Sequence, residues 1–291
     1  MIDYDPHRWR ELFQWKGTMV LAISRRAGLV LIAAAAIAIA DHFWRPLAIS
    51  AEVHALLGPA LSLLLVFRTN ASYDRFWEGR KLWGGIVNTS RNLARLVTVH
   101  LGSDAAMCKR ALQLLAAFPY AAMNDLRGTR GIGPIEKELG EDDVRLCLQA
   151  NHPPSWLMRE LSAIFERAKR TGMLSDIVQM EIDTRIANHV DNIGACERIH
   201  KTPLPFAYVV HLRRALVLYC ATLPFALLAR FGWGAIPIAF LVATVLFGIE
   251  EIGVEIEDPF GTDDNDLPLE QICASIEKHV RSQMPAEEPA R

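Results

Sequence analysis

The sequence Phe67-Arg68-Thr69-Asn70-Ala71-Ser72-Tyr73-Asp74-Arg75-Phe76-Trp77-Glu78-Gly79-Arg80 follows an apolar run at 53–67 without a loop signal between them. Many of its residues are either ionic or aromatic. We therefore expect one helix to continue from a hydrocarbon-like environment into water. An ion pathway is expected at such a transition, because permeant ions must regain their hydration there.

The composition indicates a protein with a membrane part and a sizeable aqueous part. The chain has 291 residues, of which 51% are hydrophobic, and a formal net charge of -2. Its mean hydropathy is mildly positive, which is high for a soluble protein and low for a transporter made mostly of spanning helices. A near-neutral charge does not favour a nucleic-acid partner.

Four apolar segments, at 27–44, 53–67, 215–229 and 235–249, come as two pairs with short connections. A helix of fifteen residues covers about 22 Å, which is shorter than the ~30 Å hydrocarbon core of a bilayer. Each segment alone therefore fits either a membrane span or a buried helix of a soluble all-α protein. Tryptophans near the segment ends, among them Trp44, Trp77 and Trp233, favour the membrane.

The basic residues predict the orientation of these segments. Arg25 and Arg26 precede the first segment, and Arg68 and Arg75 follow the second. The positive-inside rule then places both ends of the first pair in the cytoplasm. The charged stretch at 1–16 lacks a small-residue cleavage site after an apolar segment, so it is not read as a secretory signal. We expect both chain termini to be cytoplasmic.

The pattern predicts five successive parts, all of them helical or loop. They are a cytoplasmic N-terminal segment at 1–26, a first transmembrane hairpin at 27–67, a cytoplasmic helical region at 68–210, a second transmembrane hairpin at 211–250, and an acidic loop with a C-terminal helix and a mobile tail at 251–291.

Pro59, Leu63 and Phe67 are spaced i, i+4, i+8, so they form one stripe of a helix. Such a stripe can face lipid or a neighbouring helix. It can also form stacked apolar rings where identical helices surround a symmetry axis. The charges that follow it are equally compatible with an ordinary solvated helix.

Carboxylates are dense at 258–266, where the sequence reads Asp258-Pro259-Phe260-Gly261-Thr262-Asp263-Asp264-Asn265-Asp266. The pattern is not an EF-hand, because the glycine and the glutamate that its loop requires are not in place after Asp263. Either a bound cation or a helix that begins after the loop could offset these charges.

The stretches at 67–80 and 257–266, together with Trp9-Arg10-Glu11-Leu12-Phe13-Gln14-Trp15-Lys16-Gly17, resemble the bestrophins, a family of membrane ion channels. The resemblance covers nearly the whole chain. It implies an all-α integral membrane protein in which five copies surround one central pore. The residues that it implies are a pore neck at Pro59, Leu63 and Phe67, a lower constriction at Ile186, and a pore junction at Arg68, Asn70, Ser72 and Asp74.

In animal bestrophins a similar acidic loop holds calcium, and the carboxylates of that calcium clasp map to Asp263 and Asp266. Asp258 stands where those proteins have asparagine. We therefore expect no cofactor. The favoured role of the loop is to cap the following helix and to act as its electrostatic staple.

The resulting prediction is a homopentamer in the inner membrane of a bacterium that passively conducts small monovalent ions across the lipid bilayer. Both chloride-type anions and sodium-type cations remain open, since animal members resemble anion channels and some bacterial ones pass cations. A non-conducting membrane scaffold and a soluble helical protein are the alternatives. The sequence contains no nucleophile elbow, phosphate loop or zinc-protease motif, so an enzyme is not predicted.

Overall fold

The computed structural model describes residues 18–44 and 46–284. The predictions made for residues 1–16 and for the Pro/Glu tail fall outside these residues. The described part has no strand, which confirms the all-α prediction. Its α-helices are α1 (Val20–Phe43), α2 (Glu52–Leu101), α3 (Ala105–Leu126), α4 (Glu141–Gln149), α5 (Pro153–Arg170), α6 (Asp176–Lys201), α7 (Phe206–Phe231), α8 (Ala235–Glu255) and α9 (Leu269–Arg281), with 3₁₀ turns at Gly133–Lys137 and Gly232–Gly234.

The chain divides into two compact units. Among the described residues, unit 1 consists of 18–44, 46–76 and 203–266, and unit 2 consists of 77–202 and 267–284. Helix α2 begins in unit 1 and ends in unit 2.

In unit 1, α1 packs against α8, and α7 packs against both of them. Small side chains at the buried positions of α1 and α8 allow these two helices to approach closely. Those positions are Ala27, Ala34, Ala38, Ala235, Ala239 and Ala243. Leu61 and Leu65 of α2 belong to the same hydrophobic core.

Three helical stretches are long and apolar enough to cross a membrane, namely Val20–Phe43, Glu52–Leu101 and Phe206–Glu255. The third stretch contains both α7 and α8. The helices extend beyond the apolar segments that the sequence shows. Helix α1, for example, has 24 residues and is about 36 Å long. Segments that are too short when read from hydropathy alone are therefore parts of helices of spanning length.

A buried carboxylate joins three of these helices at one end of unit 1. The side chain of Glu250 near the end of α8 is 2% exposed and accepts hydrogen bonds from Arg26 of α1 at 3.4 Å and from Arg213 of α7 at 2.7 Å. Arg26 also pairs with Glu251 at 2.7 Å. The starts of α1 and α7 and the end of α8 therefore lie together, with their charges concentrated at this end.

Unit 2 is built around α3, which packs against α5, α6 and α9. From Leu112 to Pro119 every residue of α3 is buried. Tyr120 donates a hydrogen bond to Glu277 of α9 at 2.5 Å, and burial together with this bond raises the pKa of the phenol. The stretch of α3 from Leu112 to Pro119 is therefore buried all round, as expected for the centre of a helical core.

Candidate ion pathway and acidic loop

The first part of α2 has two opposite faces. Pro59, Leu63, Phe67, Asn70 and Asp74 are all exposed, and at 3.6 residues per turn they lie within about 80° of one another around the helix. Leu63 and Phe67 are each 55% exposed. The apolar stripe of Pro59, Leu63 and Phe67 is thus followed on the same face by the amide of Asn70 and the carboxylate of Asp74.

The opposite face of α2 is buried in unit 1. It carries Leu61, Leu65, Arg68 and Ser72, which are between 0% and 5% exposed. Nη2 of Arg68 donates to Oε2 of Glu257 at 2.7 Å, and Nη1 donates to the hydroxyl of Ser72 at 3.3 Å. An arginine buried to this extent requires such partners.

Glu257, which follows α8, binds two other parts of unit 1. Its Oε1 accepts the backbone N–H of Leu204 at 2.8 Å, and its backbone carbonyl accepts Nε of Arg75 at 2.9 Å. Burial opposes ionisation of Glu257, but the hydrogen bonds from Leu204 and Arg68 outweigh it and lower the pKa of this carboxyl. Glu257 therefore fixes the rotation of α2 about its own axis.

The predicted pore junction divides between these two faces. Asn70 and Asp74 are on the exposed face with the apolar stripe, but Arg68 and Ser72 are inside the helix bundle. A buried, ion-paired guanidinium cannot contact ions that pass along the other side of the helix. Of the four predicted junction residues, Arg68 and Ser72 thus face the interior of unit 1, whereas Asn70 and Asp74 face outward.

The predicted lower constriction, Ile186, is only 6% exposed within unit 2. It lies on the packed face of α6 with Ile182 and Ile193. A residue that packs in the core of its own unit has no free side chain with which to narrow an aqueous path. The exposed apolar residues at the start of α6 are instead Ile177 and Met180, which are 75% and 66% exposed.

Within the acidic loop of unit 1, Asp263 and Asp266 are joined by two hydrogen bonds. Oδ2 of Asp266 accepts the N–H of Asp263 at 2.7 Å, and the N–H of Asp266 donates to the carbonyl of Asp263 at 3.1 Å. Asn265 donates to Glu255 at 2.7 Å. Burial, with the nearby charges of Asp263 and Asp258, raises the pKa of Asp266 to about 6.

The expected capping of the following helix is not formed. Helix α9 begins after Pro268, and its N-cap makes no side-chain hydrogen bond. The prediction that the loop carboxylates cap this helix is therefore wrong. The loop takes its shape from the pairing of Asp263 with Asp266.

Sequence reasoning missed Glu257 as a functional residue. Its main partner, Arg68, is 189 positions away in the chain, and no local spacing links the two. The sequence does contain a weak indication that Arg68 is buried. Arg68 and Ser72 are four residues apart, and helical spacing places them on the same face as Leu61 and Leu65.

Comparison with known proteins gives a consistent result. A sequence model described as Bacterial/Fungal Bestrophin protein matches residues 1–282. Two relatives bear the name voltage-dependent anion channel-forming protein. The one from Synechocystis is 36% identical over 288 residues, covering 94% of this chain and 91% of its own length. The one from Escherichia coli K12 is 33% identical over 280 residues, covering 95% and 92%.

Solved structures agree with the sequence comparisons. A crystal structure of a bacterial bestrophin homologue from Klebsiella pneumoniae is similar to this chain with a TM-score of 0.85 and 29% sequence identity. The similarity covers 90% of this chain and 98% of that one.

The acidic loop yields a prediction about pH and calcium. Because the pKa of Asp266 is raised from 3.8 to about 6 in the folded state, folding favours the protonated carboxyl, and this stabilisation is lost as the pH rises through about 6. We expect the melting temperature of the wild type to fall between about pH 4 and pH 7 more than that of Asp266→Asn. Chelation of calcium should leave the melting temperature unchanged.

Asp264→Asn is the control, since Asp264 does not take part in the pairing of Asp263 with Asp266. A melting temperature that rises with calcium, and that loses this rise in the double variant Asp263→Asn with Asp266→Asn, would show that the loop is a calcium site.

Proposed function

The chain belongs to the bacterial and fungal bestrophin family and is a membrane protein. From this premise we propose that it forms a channel for small monovalent anions. The observation that supports an ion pathway most directly is the exposed face of α2. There an apolar stripe continues into Asn70 and Asp74. On the opposite, buried face of α2, Arg68 forms an ion pair with Glu257. The names of the relatives support anions as the permeant ions.

We propose two transmembrane hairpins, α1 with the first part of α2, and α7 with α8. The charged end of unit 1, where Arg26 and Arg213 contact Glu250, then lies at the cytoplasmic surface of the inner membrane. This orientation agrees with the positive-inside rule. Both chain termini are cytoplasmic in this arrangement.

Five copies of the chain enclose the pathway in this proposal. One subunit has no room for an aqueous path among four closely packed helices, so the conduit lies on a symmetry axis. The exposed stripes of α2 from the five copies face one another there. Pro59, Leu63 and Phe67 then form three apolar rings, and a ring of this kind restricts conduction by expelling water.

At the end of the neck, the amide of Asn70 offers N–H groups to anions that regain their hydration, whereas the carboxylate of Asp74 repels them. Arg68 contributes no direct contact, because its guanidinium is buried on the other side of α2. Selection between ions in an apolar neck depends on the cost of removing water, which is lower for large, weakly hydrated anions. A second constriction, if α6 lines the path, involves Ile177 or Met180 rather than Ile186.

The anion assignment predicts a specific electrical result. Purified protein in a planar bilayer with unequal sodium chloride on the two sides should give a reversal potential close to the chloride equilibrium potential. The variant Asp74→Asn is a useful control, because removal of this carboxylate should raise chloride conductance without changing the sign of the reversal potential. A reversal potential near that of sodium would contradict the anion proposal, and the absence of any current would favour a non-conducting scaffold.

The neck assignment predicts the effect of smaller side chains. Leu63→Ala combined with Phe67→Ala should raise anion flux into liposomes several-fold, because the wider rings remain wet. Native mass measurement of wild type and variant should give the same assembly of five chains. The matched control is Leu65→Ala, since Leu65 is 1% exposed on the buried face of the same helix.

The control variant should lose stability, by about 2–5 kcal/mol, without a gain in flux. An unchanged flux in the double variant would indicate a stripe that faces lipid. A loss of assembled protein in the double variant would indicate a stripe that packs in a core.

A further inference from the structure

Three side chains of types that can ligate metal ions, each from a different helix, converge in unit 2. They are Asp125 at the end of α3, His152 at the N-cap of α5, and Glu197 near the end of α6. One ligand atom from each lies within 4.8 Å of the others. Within 18–44 and 46–284, no other group of three such side chains converges this closely.

The distances around His152 place its Nε2 between the two carboxylates. Nε2 is 2.6 Å from Oε1 of Glu197 and 3.7 Å from Oδ2 of Asp125. Three ligands bound to one ion at about 2.0–2.2 Å are about 3–3.6 Å apart. Glu197 would therefore have to move by less than about 1 Å to accept an ion, whereas Asp125 is already near its place.

The surrounding hydrogen bonds orient each ligand. Nδ1 of His152 contacts the backbone N–H of Ser155 at 3.1 Å and the Ser155 hydroxyl at 2.6 Å, which turns Nε2 toward the carboxylates. Lys201 binds Oε2 of Glu197 at 2.8 Å and leaves Oε1 for the ring. Histidine ligands in metal sites typically donate the second ring N–H to a partner, and of these two groups only the Ser155 hydroxyl can accept it.

We propose that Asp125, His152 and Glu197 bind a divalent transition-metal ion of the zinc type. Two carboxylates and a neutral imidazole supply two negative charges and one nitrogen, a ligand set that suits zinc better than calcium or magnesium. The side chains are between 20% and 30% exposed, so an ion can enter and keep water as a further ligand. The ion would join α3, α5 and α6.

Metal binding requires a particular tautomer of His152. Nε2 must offer its lone pair to the ion, so the ring proton lies on Nδ1, where the Ser155 hydroxyl can accept it. The hydrogen bond from the backbone N–H of Ser155 is then given up. Without metal the same ring can cap α5 and donate from Nε2 to Glu197, and this is the competing explanation of the cluster.

The two explanations differ in the effect of Lys201. A cationic side chain on Glu197 repels a divalent ion, so Lys201→Gln should tighten zinc binding several-fold. If the cluster serves only to hold His152 by hydrogen bonds and charge, removal of Lys201 creates no affinity for zinc.

The test uses the purified full-length protein in detergent, with zinc chloride as the only added metal. Calorimetric titration should show one zinc per chain at this site, and zinc should raise the melting temperature. His152→Gln and Asp125→Asn should each weaken binding by about tenfold or more. Asp125→Asn leaves the N-cap of α5 intact, so its loss of binding cannot be attributed to an uncapped helix.

The double variant Asp263→Asn with Asp266→Asn is the matched control, because it removes two carboxylates of the acidic loop and leaves this cluster unchanged. It should bind zinc as the wild type does. The proposal is overturned if zinc does not raise the melting temperature of the wild type, or if His152→Gln and Asp125→Asn respond to zinc as the wild type does. None of these measurements depends on conduction.

Discussion

The ion pair between Arg68 and Glu257 is the interaction on which the proposed pathway depends. The guanidinium is 1% exposed, and the carboxylate that binds it also accepts the N–H of Leu204. A buried charge without this partner would be strongly destabilising. Because a helix is rigid, holding Arg68 inward turns Leu63 and Phe67 outward. The apolar stripe is thus exposed as a consequence of a charge on the opposite face.

Much of the fold and part of the site could be predicted from the sequence. Periodicity was sufficient to place Pro59, Leu63 and Phe67 on one helix face, because such a face is defined by local spacing alone. Their role as a pore neck was implied only by the family resemblance and remains a proposal. The same spacing places Asn70 and Asp74 on that face. Local spacing could not show whether Arg68 faces water or the helix bundle. The same sequence pattern of mixed charges after an apolar run occurs in both cases, and the partner of Arg68 is 189 positions away.

The burial of Ile186 has a different physical origin. Helix α6 carries apolar residues on both sides, with Ile177 and Met180 exposed and Ile182 and Ile186 buried. Sequence alone does not show which of two apolar faces packs against the rest of the unit. Tertiary contacts with α3 and α5 decide this, and those contacts join residues that are distant in the chain.

The carboxylates of the acidic loop and those around His152 differ in how their oxygens are used. In the acidic loop, Asp266 uses an oxygen to bind the backbone of Asp263, so the loop is partly satisfied by its own chain. Around His152, carboxylates from two other helices face a single ring nitrogen. The loop is evident in the sequence, whereas the second group is assembled only by folding.

The most direct test of the central claim is the accessibility of single cysteines in the exposed stripe. The five native cysteines are all buried, and burial raises the pKa of Cys147 and of Cys196 to about 12, so the native protein offers little reactive thiolate. Leu63→Cys, Phe67→Cys and, on the buried face, Leu65→Cys would be treated with a charged methanethiosulfonate reagent during flux measurements in liposomes. A stripe that lines the ion path predicts that flux falls in Leu63→Cys and Phe67→Cys and is unchanged in Leu65→Cys. Unchanged flux at both stripe positions would contradict it.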